Sequence, residues 1–400
     1  MSSKIPVSEA DRLLQSHVHP APSVRCPLEK AAGRVLREEV RADRDLPPFD
    51  RCMLDGYAVR AAEAEPGAIF TIAARIHAGE DTAPLPAPRL SALEIMTGSS
   101  LPPGADAVIP YESTTSLGDN QFRFEESAPL SPEDGVHRQA SDYPKGTPLL
   151  SAGSLLGPVE VGIAASCGYA EPLCSQLPRI AIFGTGDELV PVQASPGPTQ
   201  IRRSNLYVIE NALASAGFPA GLVSHLSDDI RTQEQILACA IAENDLVIIS
   251  GAVSRGKRDR IPEALDQQGQ RIFHGVSQRP GKPMGFWTKR NRTAIFGLPG
   301  NPVSTLIATH RYVIPFLLAC AGAANPSRPT VETTDTVPPH PDLTRFLPFQ
   351  FTPEGKARLQ PTNNSGDYAR LANSAGFLEI PAQSGNTAPL TSFSYQLWQR

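Results

Sequence analysis

Arg279 and Lys282 stand on either side of a Pro-Gly pair in the run RPGKP (279–283). Two cations flanking a tight turn are spaced to point at one oxyanion, and charge-assisted hydrogen bonds from both would hold a dianion. A solvated basic turn has the same composition. A second run, GLPGNPVS (Gly297–Ser304), offers another anion contact. It follows the apolar TAIF and precedes TLIATHRYVIPFLLACAGAA, so it hands a buried strand to a long helix. Asn301 suits the N-cap, Pro302 the first helical position, and the glycines let the backbone approach a ligand closely. The free N–H groups and positive dipole end of such a helix accommodate phosphate or a similar oxyanion. The same octapeptide also makes a plain strand-to-helix turn with nothing bound.

The elements that must carry these loops lie between residues 178 and 325. Apolar runs RIAIF, GLVSHL, DLVIISG, RIFHGVS, MGFWTK and TAIFG alternate with the helical patterns NLYVIENALASAG, IRTQEQILACAIAEN and IPEALDQQ. Continuous apolar strands separated by helices predict a mostly parallel, doubly wound sheet with its ligand site beyond the carboxyl ends of the strands. The loops GTGDEL (184–189), GAVSRGKRDR (251–260) and GLPGNPVS are then expected to converge on one crevice. Asp245–Ser304 holds ten Lys/Arg against four Asp/Glu, a local +6 in a chain of net charge −5, which favours an anionic ligand for that crevice.

The rest of the chain reads differently. Residues 46–135 are rich in proline and glycine with short alternating runs, a β-rich module; residues 1–45 with 136–177 are left as an N-terminal and linking domain. From 328 to 400 the pattern alternates again and predicts a small β-barrel or sandwich. Forty prolines in 400 residues with ordinary hydrophobic content (40%) argue for many turns rather than disorder. The negative net charge gives no support to nucleic-acid or membrane-surface binding, the amino terminus lacks the apolar core of a signal peptide, and the apolar stretch near 312–324 is too short to span a bilayer. Six scattered cysteines without a C-x-x-C pair read as reduced, packing thiols of a cytoplasmic protein.

CPLEKAAGRVLREEVRADRDLPPFDRCMLDGYAVR (26–60), IMTGSSLPPGADAVIPYE (95–112), GTGDEL, RPGKP and GLPGNPVS, in this order, resemble the molybdopterin molybdenumtransferase family, which includes the bacterial molybdenum-insertion enzyme and the E domain of gephyrin-type proteins. The resemblance continues into RF…Q…NNSG…LANSAGFLEIP and so covers nearly the whole chain. It implies a four-domain chain, an elongated homodimer, and a reaction in which molybdate enters the dithiolene of adenylylated molybdopterin with release of AMP and help from Mg2+.

Carried over residue by residue, the resemblance makes Arg279, Lys282 and Pro283 of RPGKP, with Arg345 and Ser365 of the last domain, a molybdate site. Ser254 of GAVS is associated with the same oxyanion and, with Asp187 and with Gly297, Pro299, Gly300, Asn301, Pro302 and Ser304, with the cofactor. Asp187 and Glu188, with Asp259, would hold Mg2+, whose preference is for oxygen ligands; a surface carboxylate pair is the plain alternative. Asp55 of LDGYAVR and Thr97 of MTG, together with Glu188 and Asp259, are the implied catalytic residues. Asp55 and Thr97 would reach the crevice of the second subunit, so that the homodimer shares its active sites; an Asp-Gly turn and a capping Thr fill the same positions structurally. Molybdopterin adenylyltransferase and molybdoenzyme maturation proteins are the implied partners.

Four stretches depart from the family pattern. FDRCMLDGYA places Arg51, Cys52 and Leu54 at unusual positions; SGAVSRGKRDR has Ala252 for a glycine and Arg260 for a tyrosine; RRSN lacks an acid at Arg202–Arg203; and ASD leaves Asp142 without a preceding glutamate. Arginines Arg203, Arg255 and Arg260 are then expected to take over part of the cation's charge neutralisation. The competing expectation is a weakened paralogue that carries or scaffolds the cofactor.

Overall fold

The computed structural model describes residues 4–253, 260–289, 292–324, 328–360, 362–364, 366–383 and 385–398. The chain divides into two compact units, one of Met1–Glu38, Ala152–Val161 and Ala170–Arg400, the other of Glu39–Ser151 and Gly162–Tyr169.

In the first unit the apolar runs form β1 (Ile180–Thr185), β2 (Leu222–Leu226), β3 (Leu246–Ser250), β4 (Gln270–His274), β5 (Gly285–Lys289) and β6 (Thr293–Leu298), in the order β2-β1-β3-β6-β5-β4. All are parallel except β5, which runs antiparallel to both neighbours. Helices α1 (Ser204–Ser215), α2 (Ile230–Glu243), α3 (Ile261–Gln268) and the run Pro302–Ala321 cover both faces. Alternation within the strands decides which face each residue joins. Ile180, Ile182, Ile248, Phe286 and Phe296 pack with Leu206, Ile209, Val303 and Ile307, whereas Ala181, Phe183, Ile249 and Trp287 pack with Leu237, Ile241, Ile261 and Leu265.

Residues Val7–Gln15 form an amphipathic helix that buries Val7, Ala10 and Leu14 in the first of these cores. An apolar stripe at i, i+3 and i+7 needs a face to cover, and this core supplies it.

The run Pro302–Ala321 is long and apolar enough to cross a membrane, its 20 residues exceeding what the 312–324 stretch suggested, but its most apolar 18-residue window is 78% buried inside the protein. Thr309–Val313 form a π-helical turn just before Pro315, and all five residues are buried. Pro315 cannot donate to the carbonyl four residues back and its ring crowds that group, so the helix widens there by one residue.

The last strands, Thr330–Glu332, Thr344–Phe351, Ala357–Leu359, Gly376–Ile380 and Ser392–Leu397, close into a small barrel: Thr333, following the first of them, bridges to Ala357. Val331, Phe349, Leu378, Ile380 and Phe393 fill it. Gln278–Arg279, from the α/β domain, extends the ladder by pairing in parallel with Thr344–Arg345.

The second unit is built on a six-stranded sheet that spans Gly56–Phe124. One face packs Ala58, Leu93, Ile95 and Val108; the other stacks Tyr57, Phe70 and Phe122, with Tyr57 and Phe122 3.8 Å apart at their centroids. Cys52 is completely buried there and its thiol is pushed up to about 11 by burial, so it is a packing residue and not a nucleophile.

Candidate functional site

Every loop at the carboxyl edge of the parallel strands contributes to one cleft of about 1250 Å³. Gly186 and Glu188 follow β1, Asp228 follows β2, Gly251–Val253 follow β3, Arg279–Pro283 join β4 to β5, and Pro299–Pro302 follow β6. The barrel adds the opposite wall with His340, Arg345 and Asn363–Asn364. The three glycine-bearing loops therefore converge, as the strand pattern requires.

On the acidic side, Asp187 and Asp228 hold each other. The backbone N–H of Asp228 donates to Asp187 Oδ1 at 3.0 Å, and that of Asp187 donates to Asp228 Oδ2 at 3.3 Å. Two loops are thereby locked with their carboxylates adjacent. Asp228 escaped the sequence reading because SDD (227–229) looks like a helix start; Asp229 does perform that task, accepting from Thr232 N–H at 2.9 Å, while Asp228 turns to the cleft. Glu188 lies over the backbone of Gly186, which has a φ of +129°. Asp187 and Glu188 are both exposed and present hard oxygen donors. Among the described residues no group of three His, Cys, Asp or Glu side chains surrounds a common point. Asp259, the third expected ligand, lies outside the described residues, as do Ser254 and Arg255.

At the floor, Asn205 ties two loops together: its Nδ2 donates to Ser250 Oγ at 3.0 Å and to the Gly300 carbonyl at 2.7 Å, and its Oδ1 is buried with no hydrogen-bond partner. Thr305 Oγ1 donates to the Pro299 carbonyl at 2.5 Å. These bonds fix GLPGNPVS. Asn301 occupies the N-cap position and Pro302 opens the helix. Pro299, Gly300, Asn301, Pro302 and Ser304 line the cleft; Gly297 does not. It lies inside β6, where a Cβ would come within 3.1 Å of both Trp287 and Val253, so its smallness serves packing. Gly251, at a φ of +100°, has room for no side chain either: a Cβ would sit 2.7 Å from the Thr185 carbonyl oxygen.

On the basic side, Arg279 and Arg345 are register partners on adjacent parallel strands. Arg345 Nη2 donates to the Pro338 carbonyl, and its Nε is buried without a partner. Burial, and then the charge of Arg279, hold the Arg345 guanidinium below its usual value. His340, which the sequence reading missed, lines the same wall and has a buried Nδ1 without a partner. Two arginines side by side, a nearby lysine (Lys282) and an unsatisfied donor describe a place for a compact anion. Ser365 lies outside the described residues.

Of the arginines that depart from the family pattern, Arg202 and Arg203 line the cleft, and Arg203 Nε donates to the Leu189 carbonyl at 3.1 Å beside the acidic loop. Arg260 instead stands exposed at the start of α3 and does not line the cleft. His225, on β2, is held below its ordinary value by burial and then by Arg203.

Asp55 and Thr97, in the second unit, are brought together. Thr97 donates to Asp55 Oδ1 from its backbone N–H at 2.6 Å and from its hydroxyl at 2.9 Å, and these bonds, the backbone one first, hold the exposed carboxylate below its usual range. Nearby, Arg51, His137 and Asp142 form a chain, with His137 Nε2 2.9 Å from Asp142 Oδ1.

Residues 5–168 match the family described as MoeA N-terminal region (domain I and II), and residues 181–319 match the probable molybdopterin binding domain. The molybdopterin molybdenumtransferase of Synechocystis sp. is 37% identical over 98% of this chain and 100% of its own length. That of Synechococcus elongatus is 32% identical over 94% of this chain and 95% of its own. The crystal structure of the molybdopterin biosynthesis moeA protein from Pyrococcus horikoshii OT3 superposes with a TM-score of 0.80 at 25% identity, covering 99% of this chain and 100% of that one.

Proposed function

Because the chain belongs to the molybdopterin molybdenumtransferase family and acts in molybdenum cofactor biosynthesis, we propose that it performs the insertion step itself: molybdate enters the dithiolene of adenylylated molybdopterin and AMP leaves. The observation that carries this reading is the partnered pair Arg279 and Arg345, with the orphaned Arg345 Nε, in one cleft that Glu188 and Asp228 also line, Asp187 being bonded to Asp228 beside it. A tetrahedral dianion at the arginine wall and a pyrophosphate linkage towards the acidic wall fit a single extended substrate.

Asp187, Glu188 and Asp259 are the residues that would hold Mg2+, with Asp228 adjacent through its bonds to Asp187. A bound divalent cation supplies charge neutralisation for the departing AMP. The chain's own part is to set those carboxylates opposite the guanidinium groups. Arg203, at the cleft, adds fixed positive charge. Asp55, pre-ionised by Thr97, is the catalytic carboxylate contributed from a second chain of a homodimer, in the cytoplasm, with molybdopterin adenylyltransferase supplying the substrate and molybdoenzyme maturation proteins receiving the product.

The test is direct: purified protein given adenylylated molybdopterin and molybdate releases AMP in proportion to the molybdenum cofactor formed. Tight cofactor binding without AMP release under any metal condition overturns the insertion reading in favour of a carrier or scaffold.

A further inference from the structure

Gln278 immediately precedes the Arg279–Pro283 turn and is completely buried. Both ends of its amide are engaged. Nε2 donates to the Gly281 carbonyl, inside the turn, at 3.2 Å, and Oε1 accepts from the Tyr312 hydroxyl. The amide also fills the inside of the turn: a Cβ on Gly281, which has a φ of +89°, would lie 2.9 Å from Gln278 Nε2.

Tyr312 is itself anchored. It sits in the buried π-helical turn, and burial pushes its phenol up, so the hydroxyl stays a donor. Arg311, the preceding residue, has a guanidinium 4.8 Å from the centroid of the Tyr312 ring. That guanidinium donates to Asp11 at 2.8 and 2.7 Å and to Glu379 at 2.7 and 3.2 Å. Asp11 belongs to the N-terminal helix and Glu379 to the barrel strand that pairs with Arg345. A chain of contacts thus runs from Asp11 and Glu379 on two distant elements, through buried Arg311, Tyr312 and Gln278, to the loop that bears Arg279 and Lys282.

Resting on the functional reading above, we propose that Tyr312, acting through Gln278, is a positioning residue for the oxyanion site, holding the Arg279–Lys282 turn in place before the ligand arrives. The side chains of Arg279 and Lys282 are exposed and the turn contains a glycine, so without this anchor the ligand must order the turn as it binds, and affinity falls by that cost. Gly300 and Asn301 have tethers of their own, Asn205 Nδ2 on the Gly300 carbonyl and the Thr305 backbone N–H on the Asn301 carbonyl.

The experiment uses the full chain and titrates molybdate calorimetrically into the parent, Tyr312→Phe, Gln278→Met, the double variant and Thr309→Val. The last loses a buried hydroxyl bond of 2.8 Å in the same π-helical turn but has none to the loop. Tyr312→Phe and Gln278→Met are expected to weaken molybdate binding about tenfold, the double variant no more than the worse single one, and Thr309→Val less than about twofold. In turnover, the same two singles raise KM for molybdate with kcat within about twofold and KM for the adenylylated pterin unchanged. Unaltered molybdate binding in both singles, or an equal loss in Thr309→Val, overturns the positioning role while leaving the insertion reading intact. A parent chain that binds no molybdate overturns both.

Discussion

Arg345 faces Arg279 across two parallel strands, and its Nε is buried without a partner. Proteins rarely place like charges side by side at the cost of an orphaned donor unless a ligand completes the arrangement. Arg345→Met is therefore expected to weaken molybdate binding at least about tenfold while leaving the melting temperature unchanged or raising it by a few degrees, because the substitution also removes repulsion and an unmet donor. Calorimetric binding and thermal unfolding on the same preparation check both halves. A large loss of stability would mark Arg345 as a structural residue instead.

The mutual bonds of Asp187 and Asp228 give a prediction on the opposite wall. Asp228→Ala removes the acceptor that steadies the acidic loop, as well as a carboxylate at the cleft. The Mg2+ concentration for half-maximal AMP release is expected to rise about tenfold, with KM for molybdate unaffected. A magnesium titration at saturating molybdate measures it; a shift in the molybdate KM alone would contradict the division of the cleft into two walls.

The arginine departures separate cleanly by position. Arg203 lines the cleft next to the acidic loop, whereas Arg260 lies exposed outside it. Arg203→Asp is expected to increase the dependence of AMP release on Mg2+, since a fixed guanidinium near the anhydride both neutralises charge and repels a divalent cation. Arg260→Tyr is expected to leave that dependence where it was. Equal responses from the two variants would remove the basis for assigning the charge to Arg203.

These contrasts show which parts of the site the sequence could disclose. The three glycine-bearing loops were legible because strand-to-loop-to-helix handovers carry Gly, Pro and Asn for local reasons. Gly297 has a role that the loop motif does not disclose: it makes room for Trp287, ten residues earlier in sequence and on the neighbouring antiparallel strand. The reversal of β5 left no trace because a strand buried on both faces reads alike in either direction. Asp228, His340 and the Tyr312–Gln278 bond were hidden because each depends on elements brought together only by the tertiary fold. The π-helical turn had a local cause in Pro315, but proline alone predicts a break, not a widened turn that buries Arg311 and Tyr312.

Acid sensitivity is expected from two histidines, half-buried His225 and buried His310. His225 and His310 are both held below the ordinary value of 6.5, in each case by burial first. Over the interval between their folded and unfolded values the unfolded chain binds more protons, so their contribution to stability is fully present above about pH 6.5 and is lost as pH falls through the folded values. The melting temperature is expected to drop as pH falls below about 6.5, and the lowered carboxylates Asp50, Asp55 and Asp229 add to the loss only at more acidic pH. His225→Asn should flatten part of that slope. A melting temperature independent of pH over this range would show that neither histidine is coupled to folding.

The proposed sharing of active sites between subunits is the most demanding prediction. All described walls of the cleft come from the first unit, while the Asp55–Thr97 pair belongs to the second. If Asp55 acts on the cleft of a partner, an Asp55→Ala chain and a Lys282→Ala chain are each inactive as homodimers, but a mixed dimer regains one intact site, combining Asp55 from the Lys282→Ala chain with Lys282 from the other. Random pairing makes about half of the dimers mixed, and one working site in each gives about a quarter of the parent activity. Neither substitution touches a buried side chain, since both residues are exposed, so assembly itself is not at risk. AMP release on mixing, measured after dissociation and reassociation, reads the result. No recovery, or a monomer by light scattering, would place Asp55 outside the chemistry and reduce its bond with Thr97 to a turn that orders the β-rich module.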